Sequence, residues 1–289
     1  MKRKKGITLK KLRILTLFLA CILAVLFGII SIAGSGYTTP KKKLIIPSNN
    51  SISRSAPEVK KPKLALIIDD FGQSRAGVRE MMQINRPLTI AVMPFLSYSK
   101  KDAEEAHKNG YEVIVHLPMQ SQKIDIKSWL GPDPVEVSQN DNEIDKVVID
   151  SLNNIPYAVG VNIHMGALAS GDERVISCVM KMLKQKSRYF IDSRTSSNTI
   201  CDKISKEVGI PYGKRNVFLD NGTKDKEYIK KQLLFAADIA EKYDFAIAIG
   251  HVGSMGGTET AESIKEMLPQ IEERGIELVF VSQVVKVFK

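Results

Sequence analysis

Short apolar runs that each stop at an ionisable residue constrain this chain more than any other feature. Leu64-Ala65-Leu66-Ile67-Ile68 ends in Asp69-Asp70 and turns through Phe71-Gly72. Val113-Ile114-Val115 ends in His116, Ala158 to Ile163 in His164, Tyr189-Phe190-Ile191 in Asp192, and Ala246 to Gly250 in His251. Runs this short and this apolar read as parallel strands buried on both faces. In α/β folds the carboxyl ends of such strands are where ligands and catalytic groups collect. Two adjacent carboxylates there are costly to desolvate unless positive charge lies beside them. Three of the four histidines in the chain end expected strands, which is the distribution of an active site and points to a metal.

Strands are expected at 64–69, 88–93, 112–116, 158–163, 188–191, 216–219, 245–250 and 277–281. Helical periodicity falls at 75–84, 98–109, 141–153, 173–186, 199–208, 224–242 and 259–274. Asn198, Thr223 and Thr258 stand where helix N-caps are wanted, and Gly110 and Gly275 where helices end in a left-handed residue. Alternating strands and helices imply right-handed parallel crossovers. The expected fold is a distorted or incomplete (β/α) barrel of seven to eight parallel strands, with an open doubly wound sheet as the alternative. Polar residues ending nearly every strand favour the barrel, because they spread a site around a ring.

The formal charge of +10 is unevenly placed. Met1 to Arg13 carries seven basic residues and no acid, and Ile14 to Ala33 carries no charge over 20 residues. That apolar length spans a bilayer, and the basic flank should stay cytoplasmic. Residues 1–33 are therefore expected to form a basic tail with a transmembrane signal-anchor; a cleaved secretory signal is the alternative. Residues 34–62, rich in Lys, Pro, Ser and Asn, read as a flexible linker, and residues 63–289 as one extracytoplasmic catalytic domain in the cell envelope. This last part has a net charge of −2, so nucleic acid is not an expected partner. Cys178 and Cys201 show no disulfide framework.

Two imidazoles and a carboxylate at neighbouring strand ends, His116, His164 and one aspartate of the pair, would make an open three-ligand site suited to a divalent metal, most simply Zn²⁺. Of Asp69 and Asp70, pointing in different directions, one could ligate and the other act on water. His251 between glycines suits a general acid. Asp192 and Arg194 share a loop, where Arg194 could orient an acid or simply hold the loop by an ion pair. His107, inside a helix, reads as a surface residue. Gln120 to Asn140 lacks periodicity and carries Trp129, the chain's single tryptophan, either a sugar-stacking face or a packing residue on the rim.

In order, Leu66-Ile67-Ile68-Asp69-Asp70-Phe71-Gly72, Glu112 to Met119 around His116, Pro156 to Gly166 around His164, Tyr189 to Ser193, Val217-Phe218-Leu219-Asp220 and Ala248-Ile249-Gly250-His251 resemble the divergent polysaccharide deacetylase family. This resemblance implies a NodB-like distorted barrel and metal-dependent removal of acetyl groups from an acetylated cell-wall or extracellular polysaccharide or peptidoglycan. It implies Asp69 as base, Asp70 as metal ligand, His251 as acid and Asp192 as a supporting acid. Related esterases place a second metal histidine four residues after the first, where this chain has Gln120. The third ligand is therefore expected to be His164, as the divergent family's own motif has it. The same departure supports an alternative, a membrane-tethered carbohydrate-binding or scaffold module with a vestigial site. A glycoside hydrolase fits less well, because adjacent Asp69 and Asp70 cannot flank a glycosidic bond.

Overall fold

The computed structural model describes residues 61–122 and 127–287. The expected anchor at 1–33 and nearly all of the expected linker lie outside those residues. In chain order the elements are β1 Lys63–Phe71, α1 Val78–Met81, β2 Thr89–Val92, α2 Ser99–Lys108, β3 Glu112–Met119, α3 Lys127–Leu130, α4 Asp141–Asn154, β4 Gly160–Met165 and α5 Glu173–Gln185. They continue with β5 Tyr189–Asp192, α6 Cys201–Val208, β6 Tyr212–Lys214, β7 Val217–Phe218, α7 Lys226–Tyr243, β8 Phe245–His251, α8 Gly257–Glu273 and β9 Glu277–Val279.

The strands form a parallel sheet in the order β6-β5-β4-β3-β2-β1-β8-β7. One edge of β1 pairs with β8, while its other edge is shared between β9 at the start and β2 at the end. The terminal strands β6 and β7 are consecutive in sequence and separated only by Arg215 and Asn216. The Arg215 N–H donates to the Asp192 carbonyl of β5, and the Asn216 N–H to the Ile247 carbonyl of β8. The ring is thus spanned by two residues of chain and not by a ladder. The structure is an incomplete, curled barrel, as the spread of strand-end polar residues implied.

Period-two alternation sorts the strand residues into two cores. Leu64, Leu66, Ile68, Val113, Val115, Phe190, Ala246 and Ala248 pack outward against the helices. Ala65, Ile67, Ala91, Ile114, Tyr189, Ile191, Ile247 and Ile249 fill the barrel interior. Each fully buried isoleucine there contributes on the order of 1.5–3 kcal/mol. Continuing the inward phase of β1, β3, β5 and β8 by one step reaches Asp69, His116, Ser193 and His251.

Several boundaries differ from expectation. The helix expected at 75–84 contracts to Val78–Met81, because Gly77 has a left-handed φ of 79° and lies against the Gly257 backbone. Strand β6 was not expected; three residues offer too little periodicity. The α7 cap is Asp225, not Thr223, since its carboxylate accepts the N–H groups of Glu227 and Tyr228. Helix α6 starts after Ile200 and α8 after Gly256, so neither Asn198 nor Thr258 caps a helix. Gly110 and Gly275 do adopt left-handed φ values, 81° and 79°. Cys178 and Cys201 are both free.

Candidate active site and metal centre

Asp69 and Asp70 both line one cavity of about 640 Å³ at the carboxyl end of the barrel, where simple alternation would have sent them to opposite faces. A register slip between Ile68 and Phe71 and a left-handed φ of 69° at Asp70 turn the second carboxylate into the mouth. Phe71 then resumes outward packing. Aspartate tolerates that backbone region better than most residues.

Around Asp70 stand His116 from β3 and His164 from β4. Asp70 Oδ1 is 3.4 Å from His116 Nε2 and 3.4 Å from His164 Nδ1, and the two ring nitrogens are 3.0 Å apart. Ligands at ~2.1 Å in tetrahedral coordination stand roughly 3.4 Å from one another, so this triangle has the size of one face of such a site. The surrounding hydrogen bonds select the tautomers. Asn162 donates its amide to Asp69 Oδ1 at 2.7 Å, so its own oxygen accepts His116 Nδ1–H at 2.8 Å. His164 Nε2–H donates to the Trp129 carbonyl at 2.8 Å. Both histidines therefore turn lone pairs toward Asp70 Oδ1, a buried oxygen with no hydrogen-bond partner. Three converging acceptors repel one another unless a cation lies between them, and the donor set suits a divalent metal. Among the described residues these three form the metal-sized cluster.

The electrostatics agree. Burial pushes the Asp70 carboxyl up, but positive partners outweigh it: protons on His116 and His164, which would take the place of a cation between the three groups, and the charge of His251 and His116 hold the carboxyl well below the usual range. Burial raises Asp69, with His116 and His251 opposing. Its Oδ2 is 3.7 Å from His116 Nε2. His251 forms the opposite wall. Burial disfavours its charged form, yet the hydrogen bond and charge of Asp220 overcome this and raise it to about 9. Its Nδ1 is 2.7 Å from Asp220 Oδ1, which leaves Nε2 as the free ring nitrogen.

Asp192 and Arg194 take other positions. Asp192 is one step out of phase with the inward residues of β5, and its buried carboxylate accepts the Arg194 N–H and the Thr199 hydroxyl. Arg194 is exposed and forms no ion pair with it among the described residues. The cavity is lined instead by their neighbours Ser193 and Thr195. Gln120 also faces away, its side chain accepting the Val137 N–H. His107 lies on the surface, stacked on Tyr157.

Sequence reasoning missed the structural parts of Asn162, Asp220 and Arg215. Asn162 shares the phase of His164 and pairs in register with His116, a signal that could have found it. Arg215 bonds the Ser193 and Arg194 carbonyls and stacks 3.5 Å over Phe218, clamping the seam of the ring. Burial, with Arg194 nearby, lowers its guanidinium to about 10.

The profile of divergent polysaccharide deacetylases matches residues 66–285. The chain belongs to this family. The uncharacterized protein YibQ of Escherichia coli K12 is 33% identical over 189 residues, covering 65% of this chain and 58% of that one. A Haemophilus influenzae protein, also uncharacterized, is 32% identical over 193 residues, 65% of this chain and 66% of its own. The match thus spans less than two thirds of either relative. Uncharacterized protein ATU2773 of Agrobacterium tumefaciens C58 superposes with a TM-score of 0.72 at 20% identity, over 80% of this chain and 92% of that one. The Bc1960 peptidoglycan N-acetylglucosamine deacetylase superposes at 0.51 with 11% identity, over 77% and 87%. At these identities the two structures establish the shared fold.

Proposed function

We propose that this domain is a metal-dependent deacetylase of an acetylated cell-wall or extracellular polysaccharide. The observation that carries the reading is the convergence on one cavity of the Asp70-His116-His164 triangle, the Asp69 carboxylate and the His251-Asp220 pair. Asp70, His116 and His164 would hold the cation, with Zn²⁺ the simplest fit to an Asp-His-His set. When bound, such an ion polarises an acyl carbonyl and acidifies water.

The chain's own residues supply the proton traffic. Asp69 Oδ1 is occupied by Asn162, leaving Oδ2 to take a proton from water as its oxygen adds to the acyl carbon. Burial raises Asp69 and so improves it as a base. His251 Nε2–H faces the cavity and protonates the leaving nitrogen or oxygen as the acyl bond breaks, releasing acetate and a free amine or alcohol. Asp220 keeps that imidazole charged at neutral pH. The basic Met1–Arg13 segment and uncharged Ile14–Ala33 support placing the domain outside the cytoplasmic membrane on an anchor. Among the described residues no helix is long and apolar enough to cross a membrane.

Acetate release from acetylated peptidoglycan and N-acetylglucosamine oligomers tests the reading, with and without chelator, for the wild type and Asp69→Asn. Release should stop on chelation, return with Zn²⁺, and fall at least ~100-fold in the variant. Release indifferent to both would overturn the mechanism, and new reducing ends in place of acetate would indicate a glycosidase.

A further inference from the structure

Trp129 is 59% exposed although the chain from its carbonyl onward is anchored. Its carbonyl accepts His164 Nε2–H, and the next side chain, Leu130, is buried. Gly131 follows with a left-handed φ of 82°, packed so closely on Met93 and Pro118 that a Cβ would collide with the methionine. These contacts fix the Trp129 backbone at the lining of the cavity, beside His164 and Met165. A large apolar ring loses favourable burial by standing in water, and here more than half of its surface does so.

We infer that Trp129 is a carbohydrate subsite, a stacking platform for a pyranose ring next to the sugar whose acyl group enters the catalytic cavity. Pyranose rings present a face of C–H groups that packs on an aromatic plane, and an indole offers the widest such plane. The same residue fixes the tautomer of His164 through its carbonyl, so the platform and the metal triangle share one rigid link. A glycan seated on the indole is thereby placed at a set distance from the reacting centre. The identity of the ligand as a glycan rests on the function proposed above; the exposure of the indole and the anchoring of its backbone do not.

Because Trp129 is the chain's single tryptophan, its fluorescence reports on this subsite alone. Full-chain Asp69→Asn protein should be titrated with N-acetylglucosamine oligomers of increasing length, and acetate release measured separately with the wild type. A saturable change in tryptophan emission that strengthens from monomer to oligomer is expected. Trp129→Ala should raise KM for the oligomers roughly three- to tenfold at unchanged zinc content, and Trp129→Phe should recover most of the loss. Saturable acetate release from the oligomers with no emission change, or with KM unaffected by Trp129→Ala, would overturn the platform while leaving the deacetylase reading intact. An emission change without acetate release would uphold the platform and reject that reading.

Discussion

The carboxylate of Asp220 grips His251 at two points: Oδ1 lies 2.7 Å from the ring Nδ1, and Oδ2 accepts the His251 backbone N–H at 2.8 Å. Thr260 donates a third bond to Oδ2 at 2.9 Å, so the fully buried carboxylate is itself held in place. Backbone and imidazole of the candidate acid are thus oriented by one side chain from the end of β7.

Asp220→Asn should lower deacetylation by about 10–100-fold by weakening the orientation and charge of His251. It should also move the alkaline limb of the pH–rate profile. With Asp220 ionised, His251 stays protonated until the pH approaches about 9, and activity should fall as pH rises through that value. Loss of the negative charge moves the limb toward lower pH. For stability, the folded pKa lies above the unfolded one, so the pair's contribution is complete below ~6.5 and is lost as pH rises through about 9. An unmoved alkaline limb in Asp220→Asn would show that His251 is not the titrating acid.

Zinc content should depend on Asp70, His116 and His164 jointly. Each alanine variant should fall from about one ion per chain to a small fraction, because two protein ligands rarely retain Zn²⁺. Gln120→Ala should keep its metal yet lose on the order of 1 kcal/mol, since Val137 N–H loses its acceptor. Metal analysis beside thermal unfolding separates the two effects. Full occupancy in a folded His164→Ala protein would exclude His164 as a ligand.

Asn162→Ala should weaken metal binding about 10–100-fold without removing any ligand. The amide orients His116 through Nδ1 and Asp69 through Oδ1, so its loss frees that ring and that carboxylate to turn. Competition with a chromogenic chelator measures the effect. Wild-type affinity in this variant would mean that packing alone sets the His116 tautomer.

Gly256→Ala should damage the site through space and not through backbone strain. Gly256 has φ −136°, open to any residue, but an added Cβ would run into Thr260 Oγ1 and Asp220 Oδ2. Displacing either costs about 1–3 kcal/mol and disturbs the grip on His251. Melting temperature and kcat should fall together, whereas Gly222→Ala, which meets only the tip of Met255, should be limited to the strain of its left-handed φ of 78°.

The strands were legible because an apolar run bounded by a polar residue carries its meaning locally. Leu64 to Ile68 could hardly be anything but an interior strand, and the ligands His116 and His164 were visible at the ends of two others. Boundaries such as Val78–Met81 were less legible, since the close approach of Gly77 to Gly257 joins segments 180 residues apart. The out-of-phase position of Asp192 followed from strand parity, but parity could be read only once Tyr189 and Ile191 were known to face inward. Asp69 and Asp70 show the converse, because the slip that turns both into one cavity comes from pairing with β2 and leaves no mark in their own sequence.

By itself, then, the sequence determined the fold class, the strand ends that carry chemistry and the residue types gathered there, since these depend on periodicity and short-range turn chemistry. The tertiary structure alone decided which side chains meet. Asn162 between His116 and Asp69, Asp220 beneath His251, and the Trp129 carbonyl on His164 join residues up to 93 positions apart. Such contacts are set by strand order and register across the curled sheet, which no local pattern encodes.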